Sequence, residues 1–315
     1  MLKTFLLIVV GLSGDPEHGK TFHKWGTTLA EASVRLGVAP ERLVYLVDQP
    51  QEDDKRVTGR ATREEITKAL DRFAKEAGPD DIVFITLIGH GSFDGRAAKF
   101  NLPGPDLGGA DFNALMRKLP SKQVVFVNAS SASGPFVDEL SGPGRTIVTA
   151  TRNGAEQYAT LFGGYFVDAI TSEAADADKN KRISVLEAFT YAKAEVARAY
   201  EREGLLATEH ALLDDNGDKE GSQEPGAVGR DGKISTDGKV ASILSFGVAG
   251  DDLPADPRLR ALHLERRDLE RRIESLRLLK ESMEPARYQK ELESLSVAIA
   301  LKTGEIRKAE AAAKP

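Results

Sequence analysis

Cysteine is absent from this 315-residue chain. Its absence excludes disulfides, thiolate metal sites and any thiol nucleophile. An excess of basic residues is also missing: 43 Lys and Arg stand against 49 Asp and Glu, a formal charge of −6 with a pI near 5.6. Nucleic acid is therefore not an expected partner, because its phosphates demand a basic face. Long apolar runs are lacking as well. The longest, FLLIVVGLSG near the N-terminus, is too short to span a bilayer, so no membrane partner is expected. It resembles a signal segment, yet turn and helix signals follow at once with no A-x-A-like site, so it reads as a first buried strand. The chain is expected to be soluble: cytoplasmic, or exported if this apolar N-terminus stands in place of a removed signal. What remains is length enough for a large core.

Apolar, β-branched runs alternate with amphipathic segments. Strands are expected at Thr4–Gly11, Arg42–Val47, Asp81–Leu87, Gln123–Asn128 and Arg145–Ala150, with Val240–Phe246 closing the sheet. Helices are expected at Phe22–Leu36, at Thr62–Glu76 behind the capping pattern Thr62-Arg63-Glu64-Glu65, and near Gly109–Leu119, Thr160–Glu173 and Ser184–Glu203. Strands separated by helices imply a mostly parallel sheet with helices on both faces. Leu213–Asp237 reads as a Gly/Asp-rich surface loop. Beyond Pro254, Leu262, Leu269, Ile273, Leu276 and Met283 recur at heptad-like spacing, as do Tyr288, Leu292, Leu295, Ile299 and Ile306 after Pro285. This predicts a coiled-coil-like helical hairpin. The expected division is residues 1–250 and 251–315, and the apolar seam of residues 257–312 suits a second copy or a partner protein.

Two strand ends carry candidate chemistry. Gly89-His90-Gly91 follows one strand, and Ala129-Ser130-Ser131-Ala132-Ser133-Gly134 follows another. Neighbouring parallel strands could bring His90, as a base, to Ser131, as a nucleophile. The Gly91 backbone N–H is the candidate oxyanion donor.

These motifs resemble those of the caspase-haemoglobinase fold peptidases: caspases, metacaspases and legumain-like enzymes. Gly89-His90-Gly91 matches the Gly-His-Gly around their histidine. The serine-rich turn matches their Asp-Ser-Cys-His-Ser-Gly pattern, with Ser130, Ser133 and Gly134 aligned and Ser131 on the cysteine. The order and spacing of the motifs agree, over residues 4–250. The resemblance implies a three-layer α/β/α caspase-like fold with a mostly parallel sheet, and a peptide or protein as partner. The departures are Ser131 for the nucleophilic Cys, Ala129 for an acidic residue and Ala132 for a larger one. A thiol of pKa about 8.5 ionises readily beside a histidine, whereas an alcohol needs an aligned base at the moment of attack. The resulting expectation is a peptidase homologue that has lost activity and acts as a binding or scaffold module. An active Ser–His hydrolase is the alternative, and a cysteine replaced by serine by design is another.

Two further patterns compete. Gly14-Asp15-Pro16-Glu17-His18-Gly19-Lys20-Thr21 fits the phosphate-loop pattern between a strand and a helix, with Val44–Asp48 as its acidic strand. A nucleotide-binding protein is therefore a second alternative, although Asp15, Glu17 and Pro16 oppose a phosphate nest. The segment Asp176–Glu187 has oxygen donors at the positions of a calcium loop: Asp176, Asp178, Asn180, the Arg182 backbone, Ser184 and Glu187. Ca²⁺ is the cation they would take. Lys181 replaces the expected glycine, and Ser184-Val185-Leu186-Glu187 is equally a capping box. Asp214-Asp215-Asn216-Gly217-Asp218 is a weaker acidic turn, which could supply extra cation ligands but reads as a solvated loop.

Overall fold

The structure is a computed structural model and describes residues 3–50, 54–226, 235–246, 256–278 and 283–313. Two compact units emerge, residues 3–247 and residues 248–315. In chain order the first contains β1 (Thr4–Val10), α1 (Pro16–Arg35), β2 (Leu43–Val47), β3 (Gly59–Arg60), α2 (Arg63–Glu76) and β4 (Ile82–Ile88). It continues with β5 (Gly91–Phe93), β6 (Ala98–Phe100), β7 (Leu107–Gly108), α3 (Gly109–Met116), β8 (Gln123–Asn128) and α4 (Phe136–Leu140). The last elements of this unit are β9 (Arg145–Thr149), α5 (Phe162–Thr171), α6 (Val185–Glu203) and β10 (Leu212–Asp214).

Seven strands form the main sheet in the order β10-β9-β8-β4-β1-β2-β3, parallel except for β10. All seven residues of β1 are buried, as befits a central parallel strand covered on both faces. Alternation sorts its side chains. Phe5, Leu7 and Val9 join the core cluster that includes Ile66, Leu70 and Phe73 of α2, Phe112 of α3 and Phe136 of α4. On the other face α1 comes so close that a Cβ on Gly26 would lie 2.7 Å from Val10 and from the Tyr45 hydroxyl. The sheet thus separates two helical layers, the α/β/α architecture expected.

Besides the short β3 and α4, which the sequence pattern does not announce, sequence and structure part at four places. Helix α1 starts six residues before Phe22, because Asp15 caps it by accepting from the Glu17 and His18 N–H groups at 2.9 Å, and Pro16 suits its first turn. The Gly/Pro-rich stretch after β4 folds as a small antiparallel sheet, β5-β6-β7. Val240–Phe246 is not a strand. Asp215 holds the Gly238 and Ala241 N–H groups in a turn, Ala241 and Leu244 are buried at a helical rather than a strand period, and a single bridge joins Ser245 to Ser184. The edge beside β9 is taken instead by β10, so Leu213–Asp237 is no surface loop throughout: Leu213, Asp214, Asp215 and Asp237 are buried.

The second unit contains α7 (Pro257–Leu278) and α8 (Pro285–Ala313). They run antiparallel, since Lys302 pairs with Glu265 at 2.7 Å and His263 faces Glu310 at 3.7 Å. Leu276 and Ile306 are buried, whereas Val297 and Leu301 are exposed. Among the described residues, no helix is long and apolar enough to cross a membrane.

Candidate active site

Leu87 of β4 sits opposite Asn128 of β8, so the segments that follow leave the sheet side by side. The glycines around His90 permit this approach. A Cβ on Gly91 would fall 2.2 Å from the Ser131 carbonyl oxygen and 2.9 Å from Ser130 Oγ. Gly89 has φ of +153°, which disfavours a side chain. Part of the Gly-His-Gly signature is therefore steric.

His90 is half-buried, and its Nε2 lies 3.0 Å from the Ser13 carbonyl oxygen. A carbonyl only accepts, so Nε2 carries the proton in the neutral ring and Nδ1 is the basic nitrogen. Nδ1 has no hydrogen-bond partner among the described residues. The ring packs edge-on against His18 and Phe22, with centroids 5.1 and 5.2 Å away. Burial, reinforced by the charge of His18, holds the imidazole below the usual histidine pKa.

Ser131 lies next to Gly91 but does not hydrogen-bond His90. Its Oγ donates to the Gly91 carbonyl at 3.1 Å and accepts from the Gly91 N–H at 3.1 Å, and the residue is 1% exposed. The intended oxyanion donor is thus occupied by the intended nucleophile. The neighbouring hydroxyls are also in use. Ser130 Oγ donates to Asn128 Oδ1 at 2.7 Å, and Ser133 Oγ accepts from the Ala150 and Thr151 N–H groups. Ala132 adopts φ of +53°, and its N–H donates to the Glu156 carbonyl. The serine-rich turn is built as a hydrogen-bonded corner.

The phosphate-loop reading is corrected by α1. Gly19, Lys20 and Thr21 lie within the helix rather than at its start, and the first-turn N–H groups that a phosphate would need are taken by Asp15. The same segment instead carries His18 to His90, with Asp15 Oδ2 2.6 Å from His18 Nδ1. Sequence reasoning missed this pair because the motif drew attention to Lys20. It also missed His23, whose Nε2 lies 3.0 Å from Asp48 Oδ1 at the end of β2. Both residues line a cavity of about 650 Å³ with Ser13, Asp15 and Lys20.

In the calcium-loop segment, carboxylate oxygens of Asp176, Asp178 and Glu187 lie within 4.8 Å of one another and could hold a cation. Lys181 takes the left-handed φ of +63° expected of a glycine there. The oxygens already accept from the chain: Asn180 N–H reaches Asp176 and Asp178 at 3.0 Å, and Ala177 N–H reaches Glu187 at 2.9 Å. Asn180 Oδ1 accepts from the Arg182 N–H at 2.8 Å, and the Ser184 hydroxyl donates to Glu187 at 2.7 Å. The capping box of α6 is formed, with Ser184 Oγ accepting from Glu187 N–H. The acidic turn differs from its reading, because Asp214 and Asp215 are buried rather than solvated.

A search of curated proteins found no match. Among solved structures, this chain is similar to the crystal structure of a protein from Geobacter sulfurreducens, at 15% identity and a TM-score of 0.44, covering 67% of this chain and 92% of that one. Residues 62–213 match the model of the Peptidase C13 family. That segment runs from the cap of α2 into β10 and contains both strand ends with His90 and Ser131. The match, on a mostly parallel sheet with flanking helices, supports reading residues 62–213 as homologous to the caspase/legumain-like peptidases.

Proposed function

We propose that this peptidase homologue has lost peptidase activity and serves as a peptide- or protein-binding module. The observation that carries the reading is the position of Ser131: buried, and bonded to both backbone groups of Gly91 instead of to His90. Attack by an alcohol requires a base aligned on its proton and an oxyanion donor free to receive the developing charge. Here the hydroxyl proton is directed to a carbonyl and the donor is engaged. No cysteine is present to supply a more acidic nucleophile. The open cavity lined by Ser13, Asp15, Lys20 and His23 suits recognition of a peptide chain, and the α7–α8 hairpin suits docking of a second copy or a partner. The test is incubation of the intact chain with peptides bearing Arg, Asn or Asp before the scissile bond. No turnover is expected. Turnover that disappears in Ser131→Ala would establish the Ser–His hydrolase instead.

A further inference from the structure

The cavity of about 650 Å³ at the ends of β1 and β2 holds charge that the fold itself does not consume. Asp48, the first residue after β2, is 3% exposed and forms part of the cavity wall. Its Oδ1 is shared by His23 Nε2 at 3.0 Å and the Gln49 N–H at 2.9 Å. Its Oδ2 has no hydrogen-bond partner among the described residues. Arg60 does not supply one, because its Nε donates to the Asp48 carbonyl at 3.2 Å. A carboxylate oxygen held this deep needs a donor, a cationic one above all, and the cavity is the side from which it can come. Asp15, the other acid of the lining, is already used: its Oδ1 caps α1 and its Oδ2 meets His18.

The opposite sign lines the same cavity. Lys20 has no ion-pair partner among the described residues, and the N–H groups of Ser13 and Gly14 donate to none of them. A simple cation bound here would face Lys20, and a simple anion would face Asp48. One unmatched buried anion and one unmatched cation, in a cavity of ligand size, therefore select a molecule that carries both charges.

We propose that this cavity binds a basic residue bearing a free carboxylate: the C-terminal arginine or lysine of a peptide, or the free amino acid. Asp48 Oδ2 receives the guanidinium or ammonium group. Lys20 and the Ser13 and Gly14 N–H groups receive the carboxylate, in the manner of chain-end capture by backbone donors. Leu12 and Pro16 give the aliphatic stem an apolar wall. The assignment rests on the peptide-binding reading and names the end of the peptide that is held. It uses neither His90 nor Ser131.

The test is fluorescence anisotropy of the intact chain with an N-terminally labelled peptide, Gly-Ala-Gly-Ala-Arg. Its C-terminal amide, its citrulline-ended form and a peptide with the arginine moved to the interior are compared with it, and free arginine serves as competitor. Saturable binding of the arginine-ended acid is expected, weakened at least about tenfold by each of the three changes. Lys20→Met should no longer tell acid from amide, and Asp48→Asn should no longer tell arginine from citrulline. Thermal unfolding shows whether each variant folds; Lys20 is exposed, so its variant and the peptide series decide the matter if Asp48→Asn does not. Competition by free arginine assigns the amino acid as ligand, and its absence assigns the chain end. Equal binding of acid and amide, or of arginine and citrulline, overturns the proposal and leaves the peptide-binding reading in place. No binding of any peptide in the series removes both.

Discussion

At His90 and Gly91 the side chains report two different constraints. Gly91 is required by packing: a methyl group there meets the backbone of the Ser131 turn at 2.2 Å, where only a backbone shift can relieve it. Gly91→Ala is expected to destabilise the fold by roughly 1–3 kcal/mol, the range of overpacked sites, measured by urea unfolding. For His90 the constraint is charge. Its pKa is lowered on folding, so the unfolded chain binds the proton more tightly and stability falls as pH drops through the unfolded value near 6.5. His90→Gln should flatten that acid-side loss in unfolding curves taken between about pH 5 and 8, the range in which histidine titrates. The two motifs were legible in the sequence because both sit at strand ends. Which atoms they engage was not, since the Ser13 carbonyl and the His18 ring come from the loop and helix that follow β1, far from His90 in the chain.

At the level of elements, caps decided more than periodicity. Asp15 and Pro16 start α1 early and thereby dissolve the phosphate loop. No binding of a fluorescent ATP analogue is expected, and Lys20→Ala should change nothing in that assay; saturable binding lost in Lys20→Ala would restore the nucleotide reading. At α6 the reciprocal pair of Ser184 and Glu187 closes the first turn. Ser184→Ala should cost about 1 kcal/mol by chemical denaturation, the usual worth of such a cap. The long central strands and the capped helices were readable because each carries its own period and punctuation. Strands β5, β6 and β7 were not, being two or three residues long and formed only by pairing. Val240–Phe246 misled because its β-branched composition favours a strand, whereas the Asp215 carboxylate and the filled sheet edge impose a turn.

Across the whole molecule, buried acids make stability depend on pH. Burial, opposed by the Asp215 N–H and reinforced by neighbouring aspartates, pushes Asp237 up from 3.8 to about 7. A raised carboxyl pKa means the folded chain holds a proton that the unfolded chain has released. This contribution should be present below about pH 4 and decline as pH rises towards 7. Asp237→Asn should remove that slope, as thermal unfolding across pH would reveal. For the hairpin, light scattering of the intact chain is expected to give a dimer. A monomer would leave a different partner protein as the occupant of its apolar seam.

Composition and local pattern alone determined that this is an α/β chain with a helical hairpin, that thiol chemistry is excluded, and that His90 and Ser131 follow strands of one sheet. These follow from side-chain types and short-range periods, which need no knowledge of distant neighbours. Only tertiary structure decided that Ser131 bonds to Gly91 rather than to the imidazole, and that the acidic turn after β10 is buried. Hydrogen-bond partners and burial are set by residues far apart in the chain. The absence of cysteine excludes one mechanism; the position of the Ser131 hydroxyl argues against the other.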